Sequence, residues 1–270
     1  MSYAIVGSNG NFSRQLQELV KNEEFTTIDK NIYSEWDKSN SQLVSTLESA
    51  IQEFNCKFLI NTVGIVSKNS SVENTQYWNF LFPLHLYQIC QDLNLIFVTL
   101  GSIHENITGM CTSNPYLESK KSLEQLLSKN SFNNSIHFQF HTWYGGRKVH
   151  SEMFLGQIIN SIKNKTIFNM SDGEQIREYH HIKDDVKCAL SVLRDENVGS
   201  YAINHGESFS LKEIACSIFS FFDCDSLLKL NQVSPPKFEI RERDILKLHI
   251  SDCEFRPTME GLIDYVKENI

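Results

Sequence analysis

The chain is expected to fold as an α/β protein: a doubly wound parallel sheet with a small C-terminal α/β lobe. Three observations predict this. Short apolar runs alternate with segments of helical apolar rhythm through the first half, the pattern of helices laid over a parallel sheet. The first run, Tyr3–Val6, passes directly into Gly7-Ser8-Asn9-Gly10-Asn11-Phe12-Ser13 and then a helical stretch. The second run closes on an acid, Asp29, about 20 residues beyond the glycines, the spacing of a dinucleotide fingerprint.

Each element follows from its residues. Tyr3–Val6 is strand-like, and Leu16, Leu19 and Val20 give the stretch Arg14–Lys21 a helical period. Phe25–Ile28 is the second strand, followed by a helix from about Gln42 to Phe54. Lys57–Asn61 reads as a third, buried strand. A helix from about Asn74 to Leu93 contains Pro83, so it is expected to kink or start late. The Ser/Asn-rich stretch Asn69–Asn74 before it reads as a loop. Leu95–Leu100 and Ile136–Trp143 are further strands, with a helix from Asn114 between them. Later come a helix over Met153–Ile162, an extended stretch over Glu174–Ile182, and a helix capped by Asp184-Asp185 and running to about Leu193. Tyr201–Asn204 is a short strand. Ser210 caps Leu211–Phe222 with Glu213 at the capping-box position, and Met259–Glu268 is a closing helix. Residues 1–145 are expected to form the dinucleotide-binding unit, with 175–205 returning to it. Residues 146–174 and 206–270 would form the substrate lobe.

Composition narrows the function. The 270 residues carry a net charge of −8, which argues against broad nucleic-acid binding. No apolar run approaches the roughly 20 residues of a membrane span. The seven cysteines are scattered without a Cys-x-x-Cys pair, so they are expected to be reduced thiols of a cytoplasmic protein. The nine histidines show no metal-ligand spacing, and no metal is expected.

The chemistry centres on Tyr116 and Lys120, four apart and so on one helix face. A cation near a phenol favours the phenolate and would lower its pKa toward working pH. At the glycine turn, Gly7 and Gly10 would admit a pyrophosphate, and a helix N-terminus would offer its N–H groups. Asp29 suits a ribose 2′-hydroxyl and repels a 2′-phosphate, favouring NAD over NADP, although Lys30 beside it tempers that preference. In a doubly wound sheet these residues, with Asn61, Gly64 and Ser102, gather at the strand carboxyl ends.

These motifs together resemble the extended branch of the short-chain dehydrogenase/reductase superfamily, whose Rossmann-fold members include nucleotide-sugar epimerases, dehydratases and 4-ketoreductases. Gly7-x-x-Gly10-x-x-Ser13 is similar to its Gly-x-x-Gly-x-x-Gly turn. Asn61-Thr62-Val63-Gly64 resembles its Asn-Ala-Ala-Gly segment, and Tyr116-x-x-Ser119-Lys120 its catalytic helix. Trp143-Tyr144-Gly145, the stretch Arg177 to Val186, and Arg241 to Thr258 are similar to its later motifs. Departures are the lost third glycine, Gly146 in place of a proline, Gln139 where an arginine is usual, and a short interval from Ser102 to Tyr116.

The resemblance implies NAD or NADP held by Gly7, Asn9, Gly10, Asn11, Phe12, Asp29, Asp37, Thr62, Val63, Gly64, Asn79, Tyr116 and Lys120. It implies Ser102, Tyr116 and Lys120 as catalytic residues. A nucleotide-diphosphate sugar would meet Ser102, Thr142, Arg147, Arg177 and Arg243, the arginines suiting a diphosphate. His180 and His181 would line the site or pack beside it. The expected protein is a cytoplasmic homodimer of polysaccharide biosynthesis, with no nucleic-acid or membrane partner. Its reaction would be hydride transfer at sugar C4, as a 4-ketoreductase or a 4-epimerase. A non-catalytic dinucleotide-binding subunit and a reductase of another carbonyl metabolite are the alternatives.

Overall fold

The computed structural model describes residues 1–33, 45, 49, 51–52, 56–66, 70–111, 114–146, 149–242 and 253–270. Most of the expected helix Gln42–Phe54 lies outside these residues, as do Asp37, Arg147 and Arg243. The strands are β1 Ser2–Val6, β2 Glu24–Ile28, β3 Phe58–Asn61, β4 Ile96–Ser102, β5 Ser135–Phe140, β6 Thr142–Tyr144, β7 Phe168–Asn169, β8 Ile176–His181, β9 Gly199–Ala202, β10 Ser208–Ser210 and β11 Leu228–Lys229. The α-helices are α1 Asn11–Leu19, α2 Lys30–Tyr33, α3 Val72–Gln76, α4 Phe82–Asp92, α5 Thr108–Cys111, α6 Pro115–Lys129, α7 Phe154–Asn164, α8 Ile182–Asp195, α9 Leu211–Phe221 and α10 Thr258–Asn269.

The chain forms two compact units, one of residues 1–140 and 189–202 and the other of residues 141–188 and 203–270. Among the described residues, the first holds a six-stranded parallel sheet in the order β2-β1-β3-β4-β5-β9. The strand order reverses at β1, with β2 on one side and β3 on the other. A crevice therefore opens at the carboxyl ends of β1 and β3. Every residue of β3 and β5 is buried, as befits strands covered on both faces. In β3 the run Phe58-Leu59-Ile60 is accordingly continuous, whereas β5 alternates apolar Ile136, Phe138 and Phe140 with buried His137 and Gln139. Leu86, Phe97, Leu123 and Leu127 belong to the core between sheet and helices.

The helix around Pro83 is a composite. α3 begins at Val72, capped by the Ser71 side chain, which accepts from the Asn74 amide. A wider π-turn follows over Tyr77–Leu81, and then α4 with Pro83 in its first turn. Pro83 has no N–H and its ring crowds the carbonyl four residues back; the widened turn accommodates both. Asn79 sits inside that turn, and such turns recur at functional sites.

The second unit has its own core, in which Tyr144, Ile158, Ile159, Ile214, Ile218, Phe219 and Leu262 are buried. Its three-stranded sheet runs β10-β8-β6, with β8 parallel to β6 and antiparallel to β10. The single strand expected over Ile136–Trp143 is thus two. Phe140 ends β5 in the large sheet, and Thr142 begins β6 in the small one. The apolar–polar alternation through Phe140 runs on into His141-Thr142-Trp143 with no turn residue to mark the change of sheet. The helix expected to be capped by Asp184-Asp185 instead starts at Ile182 and carries both acids in its first turn, where the helix dipole still favours them. Tertiary partners claim the carboxylates: Arg256 takes Asp184 in a two-pronged pair at 2.7 and 3.0 Å, and His180 and Trp143 take Asp185.

Cys188 and Cys253 form a disulfide with Cα atoms 5.7 Å apart, a usual separation. This corrects the expectation that all seven cysteines are free. They lie 65 positions apart in sequence, and spacing carries no hint of the pair. Among the described residues, no helix is long and apolar enough to cross a membrane.

At α9 the capping box forms as expected. Ser210 Oγ accepts from the Glu213 amide at 3.1 Å, and Glu213 accepts from the Ser210 amide at 2.7 Å. Ser210→Ala is expected to lower stability by about 1 kcal/mol, read as a lower urea midpoint with an unchanged slope. An unchanged midpoint would show that the cap contributes nothing.

Candidate active site

The glycine turn is shaped by a close approach. Gly7 adopts φ of 91°, and a Cβ there would lie 2.8 Å from both Thr62 Oγ1 and Val63 Cγ2. Only glycine satisfies both constraints. The Gly7 amide donates to Ile28 O at 3.1 Å, and Thr62 Oγ1 donates to Val6 O and Gly7 O at 2.8 and 2.9 Å. The turn is therefore tied to the ends of β2 and β3 together. At Gly10, a Cβ would meet no atom closer than 3.8 Å. Gly10 is also the N-cap of α1 and supplies no side-chain cap. The N-terminus of α1, at Asn11, thus begins at the glycine turn without a side-chain cap, and such a terminus favours an anion. Arg14 braces the turn by donating to Asn9 O and Asn9 Oδ1 at 3.2 and 2.9 Å. Ser13, where a third glycine was expected, is fully buried, and its hydroxyl accepts from Gln17 at 3.0 Å. Asp29 stands exposed just past β2 and accepts from the Ser8 hydroxyl. The glycine turn, the uncapped helix and the acid fit a dinucleotide's pyrophosphate and ribose.

α6 brings Tyr116 and Lys120 to the end of β4. Its N-terminus is set by Asn114, whose side chain accepts from the Tyr116 amide at 3.1 Å, and by Pro115 in the first turn. Leu117, Lys120, Leu123 and Leu127 face the core, so Lys120 is drawn inward by its neighbours on the stripe. Its ammonium donates to Leu100 O at 2.7 Å and lies 6.0 Å from the Tyr116 ring centre. A Cβ on Gly64 would lie 3.0 Å from Asn79 Oδ1 and 3.5 Å from Lys120 Nζ. Gly64, Asn79 and Lys120 therefore converge. Asn79 clamps the backbone of Ile65, accepting from its N–H and donating to its carbonyl, both at 2.9 Å.

Electrostatics at this point differ from the sequence expectation. Burial pushes the Tyr116 phenol well above its ordinary value, and the Glu105 charge pushes the same way. Burial also lowers Lys120 to about 8, against the pull of Glu105. The ammonium was expected to bring the phenol down. Instead Lys120 turns to a backbone carbonyl, and the charge felt at the phenol is a carboxylate. Ser102 ends β4 and caps the next turn: its hydroxyl accepts from the His104 amide at 3.3 Å and lies 3.2 Å from His104 Nδ1.

Glu105 went unnoticed in the sequence. It is buried, 2.8 Å from His137 Nε2, and accepts from Gln139 Nε2 at 2.7 Å. Gly101 makes room for it, since a Cβ there would lie 2.4 Å from His137 Nε2 and 2.6 Å from Glu105 Oε1. Ser102-Ile103-His104-Glu105 has the Ser-x-x-Glu form of a capping box, and that box is formed. That pattern was the available signal. Gln139, which stands where the resemblance leads one to expect arginine, is a member of this network.

Thr142 and Arg177 belong to the second unit. Thr142 is half-buried in β6 opposite Tyr179. The Arg177 guanidinium is paired with Glu239 at 2.5 Å and donates to Ile176 O at 2.8 Å. His181 is lowered to about 4, by burial first and then by Arg256.

Residues 4–206 match the model of the NAD-dependent epimerase/dehydratase family. A comparison with curated proteins found no match. Solved structures of similar fold include a dTDP-4-dehydrorhamnose reductase from Clostridium acetobutylicum, with TM-score 0.73, 17% identity and 99% of each chain covered. A UDP-N-acetylglucosamine 4-epimerase from Methanobrevibacter ruminantium superposes with TM-score 0.74 at 16% identity, covering 98% of this chain and 97% of the other. A dTDP-glucose 4,6-dehydratase from Bacillus anthracis, solved with NAD, gives TM-score 0.74 at 14% identity, covering 99% and 96%. At these identities the structures share the fold, and the family follows from the matched model: the chain belongs to the NAD-dependent epimerase/dehydratase family.

Proposed function

We propose that the protein is an NAD(P)-dependent enzyme acting at C4 of a nucleotide-linked sugar, as a 4-ketoreductase or 4-epimerase. One observation carries the reading: the Gly7 turn, Gly64, Asn79 and Lys120 gather at the carboxyl edge of one parallel sheet, with Ser102 at the end of β4. Gly7, Asn9, Gly10, Asn11 and Phe12 hold the pyrophosphate. Asp29 takes the adenosine ribose, favouring NAD, and Thr62, Val63, Gly64 and Asn79 flank the rest. When bound, the dinucleotide supplies a hydride carrier. Tyr116 exchanges a proton with the C4 oxygen. Burial biases its phenol toward the protonated form, the form that donates to a ketone. Ser102 hydrogen-bonds the oxygen as charge develops on it, and Lys120 orients the nicotinamide ribose. The second unit recognises the sugar nucleotide, with Arg147 and Arg243 as diphosphate partners. Arg177 joins them only if it gives up Glu239. The protein works as a homodimer in polysaccharide biosynthesis.

Tyr116→Phe is expected to lower turnover of a 4-keto-6-deoxy sugar nucleotide with NADH or NADPH by about 10²–10⁴-fold, leaving cofactor-induced thermal stabilisation intact. Unchanged turnover would remove Tyr116 from the mechanism. A reductase oxidises added NAD(P)H stoichiometrically, whereas an epimerase purifies with NAD bound and needs none added.

Gly7→Ala is expected to abolish the melting shift produced by NAD, because stabilisation follows affinity. A retained shift would place the cofactor elsewhere.

Lys120 supplies a pH prediction. Its folded value of about 8 lies below the ordinary 10.5. Between these pH values the unfolded chain binds more protons, so this residue makes stability rise with pH. The wild type should therefore gain stability relative to Lys120→Met from pH 8 to pH 10.5, measured by urea midpoints. Parallel profiles would show that Lys120 keeps an ordinary pKa.

A further inference from the structure

The second unit holds a buried histidine–carboxylate cluster with no part in the proposed reaction, and we propose that His141, Glu178 and His180 form a binding site for a zinc-class divalent ion. The three donor atoms lie within 4.8 Å of one another, and all three residues are buried. Local structure explains the gathering. Glu178 and His180 are alternate residues of β8 and share a face. β6 runs parallel to β8 with Thr142 opposite Tyr179, which sets His141 level with Glu178. His180 Nε2 is 2.8 Å and His141 Nε2 3.8 Å from Glu178 Oε1. Ligand atoms around a tetrahedral zinc ion lie about 3.3 Å apart, from bond lengths near 2.0–2.1 Å. Side-chain movements of less than about 1 Å would thus open the cluster around an ion.

Three further features point the same way. His180 Nδ1 lies 2.6 Å from Asp185 Oδ1, and Trp143 Nε1 holds the other Asp185 oxygen at 2.5 Å. A histidine fixed by a carboxylate on one nitrogen, with the other turned to a donor cluster, is the usual support of a metal-binding imidazole. Glu178 Oε1 is positioned by the amides of His205 and Gly206 at 2.6 and 3.2 Å. Its other oxygen, Oε2, is buried with no hydrogen-bond partner, a costly state for a carboxylate unless something pairs with it. Charge gives the third feature. The ion-pair partners of Glu178 and Asp185 among the described residues are histidines alone. A divalent ion on neutral His141 and His180 balances both carboxylates, with the proton on His180 Nε2 released to solvent and that on His141 Nε2, which faces Asn204 Oδ1, moved to Nδ1 or released. Asn204 Oδ1, 2.6 Å from His141 Nε2, stands by as a further oxygen donor. Two imidazoles and a carboxylate select a borderline first-row ion over calcium or magnesium, which prefer oxygen throughout.

The test uses the full chain, stripped with chelator, dialysed and titrated with zinc chloride. The expected result is one zinc bound per chain and a raised melting temperature. Cobalt in its place should give visible d–d bands without a thiolate charge-transfer band, which separates this site from the cysteines. His141→Gln, with folding verified by circular dichroism, should lose the zinc-induced melting shift, and Asp185→Asn should weaken binding about 10–100-fold. Absence of zinc binding and of any melting shift would overturn the proposal and leave a closed hydrogen-bond network. A thiolate band with cobalt, or undiminished binding in His141→Gln, would overturn it by placing the ion elsewhere. The cobalt spectrum of the wild type decides even if both variants fail to fold.

Discussion

The contact of Gly7 with the start of the segment after β3 is the constraint on which the first unit depends. With a Cβ position 2.8 Å from Thr62 Oγ1 and Val63 Cγ2, no side chain can stand there. Because that space is kept clear, Thr62 can reach the carbonyls of Val6 and Gly7, and the Gly7 amide can reach β2. Three strand ends are thereby tied together at the point where strand order reverses. The same geometry leaves the N-terminal amides of α1 facing the crevice. Folding requirement and ligand cradle are one arrangement here.

A second principle governs the reactive groups: burial outweighs pairing. Tyr116 and Lys120 share a helix face, as their spacing requires, yet the ammonium is 6.0 Å from the ring centre and bonds to Leu100 O. Both groups are therefore biased toward their neutral forms. The nearby ion is Glu105, kept in place by His137 and Gln139. Its field favours a protonated phenol and opposes loss of the Lys120 charge. The cradle and the carboxylate beneath it are built from adjoining turns, so substitutions at Gly101 or Gln139 would alter the electrostatics of residues that they do not touch.

Much of the first unit was legible because its physics is local. A strand buried on both faces favours an apolar run, as in Phe58-Leu59-Ile60, and a turn that admits no Cβ must carry glycine. Ser210 and Glu213 announce their helix because a capping box is satisfied within four residues. Pro83 marked a disturbance correctly, since a missing N–H must be accommodated somewhere, although its form as a π-turn at Asn79 depended on packing. The stretch from Gln139 to Trp143 was less legible: Phe140 and Thr142 pair in different sheets, and period alone does not register the change of partner at His141. The acids of α8 were read as caps, but their carboxylates go to Arg256, His180 and Trp143, partners distant in sequence or on another strand.

The sequence by itself determined the alternation of strand and helix, the family, the glycine turn with its acid, and the helical pairing of Tyr116 with Lys120. Each of these is written in short-range spacing, which backbone geometry converts directly into shape. Only the tertiary structure decided where charge resides. It turned Lys120 to a carbonyl, set Glu105 against His137, tied Arg177 to Glu239, joined Cys188 to Cys253 and packed His141 against Glu178 and His180. Those pairings join residues from separate elements, and their energies depend on burial and on distances of a few ångströms. Linear spacing carries neither quantity.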